Sequence, residues 1–335
     1  MQSPALGDTL KLPVKLVFFR RFHAQNQASS PFGGLPAARP LRALDAECAA
    51  NPLLSALRRG APEPDFSGLD ALIAYEDSQP VGFLAFTGAF DGAFGDCKEV
   101  YSPLHGGFFG GSRPERTLSA LLGASLARAA AQGATQILLT RYAHETEIQR
   151  ELVLSGFGAR CCDLIRRVKM PKERPLPYAV RRAEKHEPPR IAALENALNR
   201  HMGACPVYMP KPFYTPESYL REVEEEHLAV YAAFDGDEPV AHLAVHLGGE
   251  TFLDQNPASR HIGAAYCRPE YRGNGLIDAL LDAAQRDLAA QGVPLLGVDC
   301  ETLNPPAFRC WSKRFALFTY SFVRRLDERC ALHKD

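Results

Sequence analysis

The stretch C-R-P-E-Y-R-G-N-G-L-I-D-A-L-L, residues 267–281, decides the reading of this chain. An apolar run from Ile262 to Tyr266 precedes it, and Leu276, Leu280, Leu281 and Leu288 follow at helical spacing. The pattern predicts a strand, a glycine turn and a helix. Gly273 and Gly275 carry no Cβ, so the backbone can bring its N–H groups against an anion at the positive end of the helix dipole. Arg272 can add a charge-assisted hydrogen bond. A P-loop would need G-x-x-x-x-G-K-[ST], whereas Leu276, Ile277 and Asp278 follow Gly275. A dinucleotide fingerprint counted from Gly273 would put its last glycine on Asp278. Neither motif fits.

The 335 residues, 46% hydrophobic and 23% charged, suit a globular chain of about two domains. With 38 basic and 39 acidic side chains the net charge is −1, so no general attraction to nucleic acid or to a membrane surface is expected. No apolar run reaches the ~20 residues of a membrane helix. Lys11 and Lys15 interrupt the apolar part of Met1–Phe19, which argues against a secretory signal. Nine cysteines, an odd count without C-x-x-C spacing, predict a reduced, cytoplasmic protein without a zinc site.

Gln25–Pro36 is rich in Ser, Gly, Pro and Ala, and residues 1–36 read as an appended extension, with Val14–Phe19 a possible strand. Ala71–Tyr75 and Val81–Phe86 predict a hairpin. Ser112 and Glu115 suggest a capping box opening a helix that Gly133 stops. A strand at Ile137–Leu139 and a helix at about Glu145–Ser155 follow. Pro171–Pro177 reads as a proline-rich linker. Beyond it come a strand near Tyr178–Arg182, helices near Pro189–Arg200 and Thr215–Glu226, and a hairpin near Leu228–Leu247. After the helix that Gly292 stops, the pattern predicts a strand at Leu295–Asp299, a helix from Pro305 and a closing pair of strands near Ala316–Arg325.

The two halves repeat. Pro80-Val81 aligns with Pro239-Val240, Leu121-Leu122 with Leu280-Leu281, and Ala130–Gly133 with Ala289–Gly292, always 159 residues apart. The same spacing sets Arg113-Pro114-Glu115-Arg116 opposite Arg272-Gly273-Asn274-Gly275, so the first copy loses both glycines and gains an acidic residue. Its own glycines, in the segment G-G-F-F-G-G at 106–111, read as a connection or groove wall.

Residues 267–281 resemble the pyrophosphate loop of the GNAT superfamily of acyl-CoA N-acyltransferases, whose pattern is Q/R-x-x-G-x-G/A after a strand ending V-x-P. Arg272 and Gly275 match, Pro269 stands at the strand end, and Ile277 departs from the final small residue. Asn304-x-x-Ala307 is similar to the N-x-x-A that starts the helix beside the thiol end of the cofactor. Ser102–Phe108 and Leu154–Gly158 resemble the first copy of bacterial tandem GNAT proteins.

The resemblance implies an α/β (α+β) fold of two tandem domains, each a twisted, mainly antiparallel mixed sheet flanked by helices. A degenerate domain would span 37–170, a linker 171–177, and an acyl-CoA-binding catalytic domain 178–330. It implies acetyl-CoA as co-substrate, held by Tyr266, Cys267, Arg268, Arg272, Gly273, Asn274, Gly275, Leu276, Asn304, Ala307 and Trp311. One departure bears on catalysis. The tyrosine that protonates the leaving thiolate in the family falls on Trp311, which has no acidic proton to give.

Amide formation requires a neutral amine, so a base must remove a proton from an ammonium of pKa ~10. Glu301, alternating with Cys300 onto the face of Asp299, is a candidate base, and Tyr266 and Tyr271 are candidate acids. Backbone N–H groups around Tyr266 and Cys267 would polarise the carbonyl. Cys267 and Cys300 read as buried neutral thiols rather than acyl carriers. The expected function is acetyl transfer to a primary amine of a small molecule or peptide, by direct attack in a ternary complex. The alternative is a catalytically weak acyl-CoA-binding regulatory protein. No nucleic-acid or membrane partner is expected, and the chain would be a monomer or homodimer. The helices at Asn196–Tyr208 and Thr215–Glu226, absent from the first copy, would wall the acceptor groove.

Overall fold

A computed structural model describes residues 14–19, 51–64, 66, 68–92, 94–171, 175–249 and 251–329. Of the extension predicted at 1–36, only Val14–Phe19 fall within these, and they form a strand; the rest of that extension lies outside the described residues. In chain order the elements are β1 (Val14–Phe19), α1 (Pro52–Arg58), β2 (Asp70–Glu76), β3 (Gln79–Phe86), β4 (Phe90–Asp91), β5 (Lys98–Ser102), β6 (Gly107–Phe109), α2 (Pro114–Ala131), β7 (Gln136–Tyr142), α3 (Thr146–Leu154) and β8 (Gly158–Arg167). There follow β9 (Ala179–Arg182), α4 (Pro188–Gly203), α5 (Pro216–Glu225), β10 (Ala229–Asp235), β11 (Glu238–His246), β12 (Ser259–Cys267), α6 (Leu276–Ala290), β13 (Leu295–Glu301), α7 (Pro305–Ser312) and β14 (Ala316–Arg325).

The chain forms two compact units. The first contains residues 1–45, 64–159 and 321–335, and the second 46–63 and 160–320. In the first, β1, β2, β3 and β6 make an antiparallel sheet, while β4, β5 and β7 pair with β5 and β7 parallel. In the second, the strand order is β8-β13-β12-β11-β10-β9, antiparallel throughout except for β12 with β13. The fold is therefore mixed α/β, as the sequence implies.

The repeat holds at the level of elements. β2 and β10, and β7 and β13, start and end 159 residues apart, and α2 and α6 end 159 residues apart. Even the hairpin irregularity recurs, between Ala74 and Tyr75 in one copy and Ala233 and Phe234 in the other. Gly133 (φ 77°) and Gly292 (φ 72°) close the corresponding helices in the left-handed conformation that glycine adopts without penalty.

The second unit's core lies between its sheet and α6. Leu276, Leu280, Leu281, Ala284 and Leu288 on α6 pack with Val240, Leu243 and Val245 of β11 and with Leu296, Val298 and Cys300 of β13. Burying a leucine of this kind is worth about 2 kcal/mol, and four on one helix fix which face it presents. On the opposite face of the sheet, Ile191, Ala192 and Leu194 of α4 and Tyr219 of α5 cover Val230, Ala232, Phe234 and Ala244.

Three expectations are corrected. Ser112 and Glu115 form no capping box: α2 has Arg113 at its N-cap without a side-chain cap, and the Ser112 hydroxyl donates instead to Glu76. A charged carboxylate outcompetes the weaker local bond. The closing pair of strands is one ten-residue strand, β14, since no glycine or proline interrupts 316–325. The G-G-F-F-G-G segment contains the strand β6 rather than a mere connection, because Phe109 buries against the sheet.

Candidate active site

The glycine turn has the geometry its residues demand. β12 ends at Cys267, a 3₁₀ turn spans Pro269–Tyr271, and Gly273 (φ 85°) and Gly275 (φ 77°) turn left-handed before α6 begins at Leu276. A Cβ at either glycine would meet nothing within 4 Å, so strain and open space coincide there. Gly275 is the N-cap and supplies no capping side chain, which leaves the first N–H groups of α6 to an incoming anion. Arg272 is set beside them: its Nε donates to the Cys267 carbonyl at 3.0 Å and its guanidinium lies 5.6 Å from the Tyr266 ring centre. Asp278, in the first turn, would repel an anion, but Arg314 holds it with two bonds of 2.6 and 3.0 Å.

Beside the turn the sheet opens. β12 and β13 pair in parallel from Ser259 with Leu295 to Ile262 with Val298, and there the ladder stops, although β12 runs on to Cys267 and β13 to Glu301. The register of β12 against β11 skips Gly263, an irregularity of the kind that bends a strand. A side chain at that position would collide with His246 Nε2, 2.6 Å from the Cβ it would carry. Gly263 is exposed and Ala264, Ala265 and Tyr266 are half-buried, in a strand flanked on both sides. The result is a cleft whose walls are backbone edges.

The face of β13 that opens into this cleft is acidic. Glu301 is 6% exposed, and burial pushes its carboxyl above the ordinary range, with Asp299 adding repulsion. Asp299, its side chain 31% exposed, lies 2.8 Å from Nε2 of the buried His261 on β12. Burial opposes the charge on Asp299, but the hydrogen bond and charge of His261 outweigh it and hold the carboxyl low. Burial likewise opposes the charge on His261, yet Asp299, Asp254 and Asp163 together push its pKa up to about 9. Room for the imidazole comes from Gly297, where a Cβ would stand 2.8 Å from His261 Nδ1. Lys211, in the loop between α4 and α5, exerts its field on Asp299, Glu301 and Glu195.

The remaining candidates are dispersed by role. Tyr266, half-buried on the part of β12 beyond the last rung with β13, packs against the cluster of α4 and α5. Tyr271 donates its hydroxyl to Asp235 at the hairpin tip, 2.9 Å, which raises its pKa, and stands edge-on to Tyr178. Arg268 pairs with Glu238. Asn274 is exposed in the turn, and Leu276 is buried in the core. Asn304, at the start of α7, meets His201 Nε2 at 3.2 Å and so joins α7 to the end of α4. Ala307 packs against the core, and Trp311 is within it, 5.7 Å edge-on from Phe315. The thiols are poor nucleophiles: burial raises Cys267, and the Cys300 thiol 3.7 Å away, with burial, raises Cys162. Among the described residues no group of histidine, cysteine and carboxylate side chains is arranged to hold a metal.

Sequence reasoning missed His261, Asp254 and Lys211, because they meet only through tertiary structure. It also missed Glu195 and His242, buried 3.6 Å apart between α4 and β11 with no hydrogen-bond partner for Glu195 Oε2 or either ring nitrogen.

The equivalent places in the first unit are filled. The Ser112 N–H and hydroxyl, just ahead of α2, are taken by Glu76, the N–H at 2.9 Å. Where β5 and β7 part after Ser102 and Leu139, Arg141 Nη1 donates to the Gly107 carbonyl at 2.6 Å and Tyr142 meets His105 at 2.8 Å. Both bonds span the space that the second unit leaves open.

Residues 191–316 match the model of the acetyltransferase (GNAT) family. No curated protein matches the sequence. Among solved structures, the chain is similar to a GCN5-related N-acetyltransferase from Sphaerobacter thermophilus, with 16% identity and a TM-score of 0.53, over 92% of this chain and 95% of that one. It also aligns with a tandem GNAT protein from the clavulanic acid biosynthesis pathway (15% identity, TM-score 0.47, 93% and 98% covered). A GNAT-family acetyltransferase from Colwellia psychrerythraea aligns at 11% identity and a TM-score of 0.45, with 93% and 100% covered. The first of these shares the fold.

Proposed function

We propose that the second half of this chain, whose residues 191–316 match the GNAT acetyltransferase family model, transfers an acetyl group from acetyl-CoA to a primary amine by direct attack in a ternary complex. The observation that carries this reading is the meeting of an uncapped helix N-terminus, bearing two left-handed glycines, with the cleft between β12 and β13. Acetyl-CoA supplies the activated thioester. Its pyrophosphate suits the N–H groups after Gly273 and Gly275, with Arg272 as counter-charge, and its pantetheine arm suits the free edge of β12.

The residues around the cleft divide the work. Glu301, kept easily protonated by burial, takes the proton from the acceptor nitrogen, directly or through water. N–H groups of β12 near Tyr266 and Cys267 stabilise the oxyanion as the C–N bond forms. As the C–S bond breaks, the thiolate takes a proton from Tyr266 or from solvent; the Tyr271 hydroxyl is committed to Asp235. Asn304 and Ala307 border the thiol end. The seven described cysteines are free thiols, which supports a cytoplasmic setting. Among the described residues no helix is long and apolar enough to cross a membrane. A monomer or homodimer would serve this chemistry equally.

A steady-state assay of CoA thiol release with a panel of alkylamines tests the reading. Saturable release that depends on the amine, with the acetylated amine found by mass, is the expected result. Tight acetyl-CoA binding without turnover on any amine would instead favour a regulatory acyl-CoA-binding protein, the reading suggested by Trp311 at the usual tyrosine position.

A further inference from the structure

The geometry points to a second role on the same strand: we infer that Asp299, held by His261 at the apex of the cleft, seats the acceptor as a cation, so that the enzyme selects alkylammonium acceptors over neutral ones. The inference rests on the acetyltransferase reading for its consequence, but on the cleft alone for the binding site.

Asp299 is the first residue of β13 beyond the last rung shared with β12, so its carboxylate stands where the cleft begins. Its position is fixed. Oδ1 is bound at 2.8 Å to His261 Nε2, and His261 is 3% exposed on the neighbouring strand. The imidazole is built in rather than accommodated, since Cβ atoms at Gly249 and Gly297 would stand 2.9 and 2.8 Å from its Nδ1. That Nδ1 is buried without a hydrogen-bond partner.

Charged groups of both signs surround it, the carboxyl groups one more than the cations. Asp163, paired with Asp299 across β8, and Asp254, in the loop after β11, face the same imidazole. The His246 ring lies tilted against it with ring centres 5.6 Å apart, Glu301 follows on β13, and Arg160, Lys211 and His261 itself are the cations in electrostatic reach of this face. Thr251 and Thr319 hydrogen-bond to Asp254 and Asp163 respectively. Of the three aspartates, Asp299 alone is open to the cleft, at 31% side-chain exposure, while Asp163 and Asp254 are buried.

A part-exposed carboxylate at the narrow end of a groove, in a cluster of four carboxyl groups set against three cations, favours a cation over a neutral ligand. The division of labour follows. Asp299 stays ionised and holds the ammonium, and Glu301, two residues on, accepts the proton that must leave the nitrogen before it attacks the thioester carbon. Nitrogen thus loses one proton to Glu301 before it attacks and a second as the C–N bond forms and the C–S bond breaks; the departing thiolate takes one of the two, and Glu301 passes the other to solvent.

Calorimetric titration of the full chain with n-butylammonium and with its neutral isostere n-butanol tests the site without requiring turnover. Millimolar binding of the cation, and none of the alcohol, is expected. Asp299→Asn should weaken cation binding by at least about tenfold, the size of one lost charge-assisted contact, and Asp299→Glu should restore part of it. His261→Gln should move the acidic limit of cation binding to higher pH, which a purely structural stitch would not do. Unchanged acetyl-CoA affinity in each variant shows that the fold survives. The inference is overturned if the alcohol binds as well as the cation, if Asp299→Asn binds like the wild type, or if no cation binds at millimolar concentration. Cation binding through Asp299 without acetyl transfer to any amine would leave this site standing and remove the proposed function instead.

Discussion

Asp299 and Glu301 stand two residues apart on one face of β13, and their acidities are driven in opposite directions. Burial raises Glu301, whereas the hydrogen bond to His261 overcomes burial and lowers Asp299. Two like groups with separated pKa values are how a site obtains a fixed charge and a proton acceptor from the same chemistry.

The pH dependence of turnover follows from Glu301. A base works only when ionised, so kcat/KM should rise with pH through a value above the ordinary carboxylate range and reach a plateau. Glu301→Gln should lose that acidic limb and lower kcat by about 100-fold, the usual scale for general-base catalysis. Stopped-time assays from pH 5 to 9, on the order of one rate per half unit, would show it. A Gln variant with wild-type rate and profile would leave water alone as the acceptor.

Acyl-CoA should bind once per chain. Gly275→Glu places a carboxylate at the helix N-terminus and forces a side chain into a left-handed residue, a strain of about 1 kcal/mol before any repulsion is counted. Calorimetry with acetyl-CoA should give one site for the wild type and none for this variant. Arg116→Ala, in the first copy, should leave the isotherm unchanged, since Glu76 already occupies the approach to α2 and Arg141 spans the neighbouring cleft. A stoichiometry of two would refute the assignment.

The glycine turn, the repeat and most elements were legible because each is a local matter: periodicity sets α6, and left-handed glycines set the turn. The 159-residue spacing forecast the paired hairpins, and the structure adds that both share a bulge at the same place. The cleft was not legible, since the ladder between β12 and β13 ends through the offset at Gly263 and its contact with His246, which no run of residues encodes. Strand β8 escaped for the same reason: Gly158–Arg167 follows the first copy's helix but pairs with β13, so its burial pattern reflects a distant partner. Ser112 looked like a cap because its competitor, Glu76, is remote in sequence.

Stability should vary with pH through Glu195 and His242. Burial raises Glu195 from 4.5 to about 7 and lowers His242 from 6.5 to about 4, so near neutral pH His242 is uncharged and Glu195 is half protonated. A raised acid stabilises the folded state below its unfolded pKa, and that contribution fades as pH climbs from 4.5 through about 7. A lowered base contributes above 6.5, and its share is lost as pH falls towards about 4. The two trends oppose each other between these limits. Glu195→Gln removes one of them, so its denaturant midpoint should rise with pH between 4.5 and 6.5 more steeply than that of the wild type. Parallel curves would contradict the assignment.

The last expectation concerns Trp311. The ring is 6% exposed, packed edge-on to Phe315 among the core side chains of α6 and β13, and its indole carries no acidic proton. Departure of a thiolate needs little help, because a thiol of pKa ~8.5 is a far better leaving group than an amine. The barrier then lies in deprotonating and positioning the acceptor, and an added phenol changes neither. Trp311→Tyr should alter kcat by less than about tenfold, or ~1.4 kcal/mol. Its cost should appear in the fold: a smaller ring leaves a void, and a buried hydroxyl there seeks a partner, together worth about 2 to 4 kcal/mol. Chemical denaturation and turnover measured on one preparation separate the two effects. A large gain in kcat at unchanged stability would mean that the missing acid limits the enzyme, and that Tyr266 and solvent do not supply the proton.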